Sequence, residues 1–194
     1  MTAASVLPKE LGRMIEWRRA LHATPAVSGN EYPTRAYILS QLETLGISAQ
    51  TFEKHAGILA TIEGKGPGGV IALRADMDAL PITENNDLPY RSRNDGVMHA
   101  CGHDGHMSML LGAATALKEN RDSWRGTVKL VFQPSEESAP NGGAPFMIAD
   151  GILDNPKVDM MFGMHLWPDL QYGDIGICRG TMMASSDRFK LILR

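Results

Sequence analysis

Apolar residues along this chain fall into two spacings that take turns, and that alternation limits the fold more than any other feature. Helical spacing runs over 9–22 through Leu11, Met14, Ile15 and Leu21, with Pro25 following as a stop. It returns from Pro33, a residue suited to a first helical position, through Tyr37, Ile38, Leu42 and Leu45 to Gly46 as a C-terminal cap. A third helix is expected from 103 or 104 to about 119, with Met107, Leu110, Leu111, Ala114 and Leu117 as its apolar face. A short one over 142–148 ends at Gly151. Compact apolar runs at 57–63, 70–75, 127–132 and 159–164 read as strands, the last of them buried. Strands that alternate with helices predict an α/β sheet with helices on its faces.

The first two strands are separated by Gly64-Lys65-Gly66-Pro67-Gly68-Gly69. A phosphate-binding loop is excluded there, because no Gly-Lys-Ser/Thr follows at the required spacing and the next element is a strand. The expectation is a plain β-hairpin.

At 194 residues and 43% hydrophobic, the chain can bury one sizeable core, so a single domain is the default. A net charge of -3 with scattered Lys and Arg leaves no basic stripe for a phosphate backbone, which argues against nucleic acid as a partner. The first residues lack the apolar core of a signal peptide, and no apolar run approaches the roughly 18 residues of a membrane span. The expected location is the cytoplasm, without a membrane partner. There thiols stay reduced, so Cys101 and Cys178 are not expected to pair.

Metal-competent residues gather where an apolar strand has just ended or a helix is about to begin: Asp76 and Asp78, Cys101 to His106, Glu136 and Glu137, and His165. In open α/β sheets the ligand crevice lies at the carboxyl ends of the strands, so such residues can converge. Cys101-Gly102-His103 offers a thiolate and an imidazole, with a glycine that lets the backbone bend between them. Glu137 adds a hard oxygen and His165 a second imidazole. The mixed set suits zinc best on softness, with manganese, cobalt and nickel compatible.

An isolated Glu-Glu pair is ordinarily a solvated acidic loop, and a lone histidine among Phe162, Met164, Leu166 and Trp167 is ordinarily a core residue. Both readings weaken because the other clusters stand at equivalent places. Glu137 is assigned to metal and Glu136 to proton transfer. His99, His106, Asp76 and Asp78 can be ligands, partners that orient ligand histidines, or structural hydrogen-bonders, and the last two roles are preferred. Asp78 is also counted with Glu136 as a catalytic-site residue. His22 and His55 read as ordinary surface or helix-end residues, Cys178 as a small core residue, and Met182-Met183 as packing.

Four strings then match a known group in order and spacing: Arg74-Ala-Asp-Met-Asp-Ala-Leu-Pro81, Met98-His-Ala-Cys-Gly-His-Asp-Gly-His106, Gln133-Pro-Ser-Glu-Glu137 and Gly163-Met-His-Leu-Trp-Pro168. They resemble the N-acyl amino acid amidohydrolases of the hippurate hydrolase and indole-acetyl-amino-acid hydrolase group, among the co-catalytic metallopeptidases. The resemblance implies a three-layer sandwich with a mostly parallel or mixed central sheet. It implies two divalent ions (zinc, manganese, cobalt or nickel) on Cys101, His103, Glu137 and His165, with Glu136 as base. The implied substrate is a small N-acyl amino acid. The family also carries a further histidine ligand and a lid domain through which a full-length form would pair with itself; neither has a counterpart in these 194 residues.

Residues 186–194 alternate like the opening of a new strand, so 1–185 is expected to form the metal-binding domain and 186–194 the truncated first strand of the lid. Two other readings stand beside the amidohydrolase. Cys101 could be the nucleophile of a cysteine hydrolase, or the chain could be a metal-binding fragment without turnover.

Overall fold

The structure, a computed structural model, describes residues 7–138, 142–185 and 189–193. Three helices, α1 (Leu7–Ala23), α2 (Tyr32–Thr44) and α3 (His103–Glu119), share one core against a five-stranded sheet. The strands are β1 (Ala49–Thr51), β2 (Ile58–Glu63), β3 (Val70–Asp76), β4 (Thr127–Gln133) and β5 (Met160–Gly163), in the spatial order β1-β2-β4-β3-β5. β3 runs parallel to β4 and β5, whereas β2 is antiparallel to β1 and β4.

Side chains alternate across β4, which decides the layers. Val128, Leu130 and Phe132 enter the core made by α1, α2 and α3, and Val131 faces the other way. On that second face it meets Ala72, Phe52, Ile152 and Met147 of the short helix α4 (Ala144–Ala149). The result is the three-layer α/β sandwich with a mixed sheet.

The predicted hairpin is not there. β4 lies between β2 and β3, and Thr127 is the register partner of both Glu63 and Val70. The glycine-rich loop therefore arches over the start of β4 instead of turning tightly. Gly64 N donates to Gly126 O at 2.9 Å, Gly126 N to Gly66 O at 3.1 Å, and Thr127 N to Gly69 O at 3.0 Å. Gly126 has φ +95°, and a Cβ there would run into the Gly69 carbonyl oxygen. The glycines serve a backbone crossing.

Other departures are smaller. β1 and a 3₁₀ turn at Arg121–Ser123 were not expected. On α1 the buried apolar residues are Trp17, Leu21 and Ala23, with Met14 partly covered, while Leu11 and Ile15 are exposed. β5 is an edge strand exposed along its whole length, not buried. Cys178 is exposed rather than packed in a core, and so are Met182 and Met183. Of the strand expected over 186–194, residues 189–193 carry no strand pairing, and 186–188 and 194 lie outside the described residues. Among the described residues no helix is long and apolar enough to cross a membrane.

Candidate metal centre

Because β3, β4 and β5 are parallel, the chain leaving them delivers Asp78, Glu136 with Glu137, and His165 to one edge of the sheet. Cys101 and His103 reach the same place from the start of α3. Gly102 between them has φ +88°, and a Cβ would stand 3.2 Å from Leu166 Cδ1. A side chain here would be strained and would crowd Leu166, the neighbour of His165.

His103 is fully buried. Its Nδ1 donates to the Asp78 main-chain oxygen at 2.8 Å, which turns Nε2 into the site. That Nε2 has no hydrogen-bond partner. It faces Asp76 Oδ2 at 3.5 Å and one oxygen each of Glu136 and Glu137 at 3.9 Å. A buried nitrogen left unpartnered costs about 1–3 kcal/mol; burial pushes this imidazole down, but Asp78 and Asp76 outweigh it and raise it, so the place calls for positive charge, which a proton or a metal ion supplies. Cys101 Sγ lies 3.4 Å from His165 Nε2, whose ring donates through Nδ1 to Leu166 O at 2.6 Å. Donor atoms of Cys101, His103 and His165 lie within 4.8 Å of one another, as do those of His103, Glu136 and Glu137. The sulfur, nitrogen and oxygen donors fit divalent metal, and each imidazole is oriented through its other nitrogen as metal-binding histidines require.

Asp78 braces this cluster. It is fully buried, and its two oxygens accept from Glu136 N at 3.0 Å, Glu137 N at 2.9 Å and Ser28 Oγ at 2.6 Å. Burial pushes the carboxyl up, but these bonds and His103 outweigh it and hold it at about 2. Buried Glu31 accepts from Ser135 N at 2.6 Å and Ser135 Oγ at 3.0 Å, which secures Ser135 at φ 54° just before the acidic pair. Neither Glu31 nor Ser28 was singled out in the sequence. Glu31 stands directly before Tyr32-Pro33 and resembles an ordinary helix-start acid.

The residues left open by the sequence now separate. His106 donates through Nδ1 to Asp76 Oδ1 at 2.6 Å and accepts through Nε2 from Leu166 N at 2.9 Å, so neither nitrogen is free for an ion. His99 is buried with both nitrogens unpartnered, and burial holds its imidazole down at about 4, hence neutral. His22 is not a surface residue. It is buried, with Nδ1 2.8 Å from Asp104 Oδ2 and Nε2 3.0 Å from Glu84 Oε1, and Arg18 also reaches Asp104 at 2.8 Å. His55 stands apart, paired with Asp150 at 2.9 Å.

Electrostatics distinguish the two acids and the thiol. Burial and the neighbouring Glu137 charge raise the Glu136 carboxyl, which favours accepting a proton. Cys101 is pushed up to about 12 by burial and by Glu137, Glu136 and Asp76. A nucleophilic cysteine needs the opposite shift, so the cysteine-hydrolase reading loses its support even though His165 is close.

Residues 72–185 match Peptidase family M20/M25/M40. An N-acyl-L-amino acid amidohydrolase of Geobacillus stearothermophilus is 46% identical over 176 residues, covering 91% of this chain and 47% of the relative. An N-acetyl-L-cysteine deacetylase of Bacillus subtilis (strain 168) is 46% identical over 187 residues, covering 96% and 43%. Among solved structures, the Bacillus subtilis YXEP protein, described as a dinuclear metal binding peptidase from the M20 family, superposes with a TM-score of 0.78 at 42% identity. That match covers 84% of this chain and 44% of the other. The chain thus spans less than half the length of these relatives. With the sheet order, the ligand cluster and the matched span in agreement, the chain belongs to peptidase family M20/M25/M40.

Proposed function

We propose that this chain serves hydrolysis of the amide bond of N-acyl amino acids, with Cys101, His103, Glu137 and His165 holding two divalent ions and Glu136 acting as base. The observation that carries the reading is the buried, unpartnered Nε2 of His103 set among Asp76, Glu136 and Glu137, with Cys101 and His165 at the same place. Relatives named as N-acyl-L-amino acid amidohydrolase and N-acetyl-L-cysteine deacetylase support the substrate class. The donor set favours zinc on softness, with manganese, cobalt and nickel as competitors.

Bound ions would acidify the attacking water and polarise the substrate carbonyl. Glu136 takes the water proton as the carbonyl is attacked and passes it to the leaving nitrogen, freeing a carboxylic acid and an amino acid. Asp78 does its part without touching substrate, holding the main chain of Glu136 and Glu137 and, through its own carbonyl oxygen, the ring of His103. In the same reading 186–194 opens a second domain through which chains pair.

The test is turnover of a panel of N-acyl amino acids by metal-loaded protein, with and without chelator, for this chain and for a form of the relatives' length. Glu136→Gln is expected to lower kcat by roughly 10²–10⁴ while metal content stays at the parent level. Full activity of that variant, or activity indifferent to chelation, overturns the assignment. A second reading, metal binding without turnover, draws on the exposure of His165 and β5. It is favoured if this chain takes up metal and only the longer form hydrolyses substrate.

A further inference from the structure

His165 is an unusual ligand candidate because its ring, edge-on to His106 at 4.6 Å between centroids, is held by little hydrogen bonding. It lies on irregular chain beyond an exposed edge strand, and its ring is itself exposed. Its one hydrogen bond to the main chain goes to the next residue, Leu166 O. The main chain of that segment is tied to the buried part of the site by a bond from Leu166 N to His106 Nε2 at 2.9 Å.

The proton positions along this connection follow from the partners. A main-chain N–H can only donate, so His106 Nε2 carries a bare lone pair, and the ring proton sits on Nδ1. Nδ1 donates to Asp76 Oδ1 at 2.6 Å, and the other Asp76 oxygen accepts from Arg74 at 2.8 Å. Arg74 is steadied by Gln133 Oε1 at 2.9 Å. The line therefore runs from the ends of β3 and β4, through the first turn of α3, to the residue beside a ligand. Leu166 also needs the glycines beneath it, since a Cβ on Gly105 would stand 2.6 Å from its Cδ1.

We propose that His106 is a positioning residue that holds His165 at the metal by accepting the Leu166 N–H, in an Nδ1-protonated form selected by Asp76. The proposal rests on the metal reading above and adds a role for a residue outside the ligand set. Two simpler roles compete with it. Donor atoms of Asp76, His103 and His106 lie within 4.8 Å of one another, but as a ligand His106 would have to give up one of its two bonds. As mere filling of the core, its tautomer would be immaterial.

The experiment has two parts. Imidazole nitrogen NMR on the unmodified chain is expected to show His106 protonated at Nδ1 and bare at Nε2; the reverse tautomer overturns the proposal without any variant being made. Cobalt titration, read by the absorption bands of a thiolate-bound ion, then compares the parent with His106→Phe and His106→Gln. Phenylalanine keeps the bulk and removes the acceptor, whereas glutamine offers an amide oxygen at similar reach. The expected result is roughly 10–100-fold weaker cobalt binding for the phenylalanine variant, with much of it recovered by glutamine and both variants melting cooperatively. Equal affinity of the phenylalanine variant and the parent overturns the positioning role alone. A parent chain that takes up no cobalt overturns the metal reading and the proposal with it.

Discussion

His22 bridges two buried carboxylates, and the pair it makes with Glu84 gives stability two opposite dependences on pH. Its imidazole is raised above 6.5 by the bond to Asp104, which with Glu84 outweighs the effect of burial. That contribution is complete below 6.5 and is lost as pH climbs through the raised value. Burial pushes Glu84 up, but the Ser92 N–H, His22 and Asn86 outweigh it and hold it at about 2, against an ordinary 4.5. Its contribution is complete above 4.5 and is lost as pH falls toward 2. Glu84→Gln is therefore expected to cost roughly 2 kcal/mol in urea unfolding at about pH 5.5, a gap that narrows on acidification. Two curves that stay parallel down the acid limb would remove Glu84 from the explanation. This network was invisible in the sequence for a geometric reason. His22 meets Glu84 and Asp104 across 62 and 82 positions, and Ser135 meets Glu31 across 104, separations at which spacing carries no signal. Cys101, His103, Glu136, Glu137 and His165 were legible because each stands beside its own strand end or helix start.

Alternating periodicity located the elements well. Helices α1 to α4 and strands β2 to β5 fall within a few residues of expectation, while β1 and the 3₁₀ turn at Arg121–Ser123, three residues each, escaped. Pairing was harder to read, since sequence neighbours usually pair and β2 and β3 do not. The clue was β4, buried at every position but its first, a pattern that belongs to an interior strand. Lys129 disguised it, because its ammonium is buried against the carbonyls of Ile152 and Asp154. The crossing loop makes a contrast between glycines measurable. Gly126→Ala, at φ +95° and against Gly69 O, is expected to lose at least about 2 kcal/mol. Gly12→Ala, inside α1 with nothing within 4 Å, is expected to gain about 1 kcal/mol. Thermal or urea unfolding of both decides it, and a harmless Gly126→Ala would mean the crossing is not as tight as drawn.

Across the whole molecule, apolar cover is uneven. The face under α1, α2 and α3 is closed, whereas β5 shows Met160 at 57% and Phe162 at 49% exposure, beside an apolar groove of about 250 Å³ that reaches Met147 and Ile152. An edge strand with such side chains is a template for association. Sedimentation of this chain is expected to show mass rising with concentration, and Met161→Lys on the edge is expected to suppress it. A parent that stays monomeric throughout would show the edge to be protected. The parallel arrangement of β3 and β5 has one more consequence, and it concerns time. Cys101 and His165 stand 64 positions apart and meet only after β5 has docked on β3. If the two hold an ion together as proposed, its uptake is a clock on that docking: during refolding, a chain whose β5 is still loose presents a free thiol and scattered imidazoles, and tight capture marks the moment at which β5 joins β3.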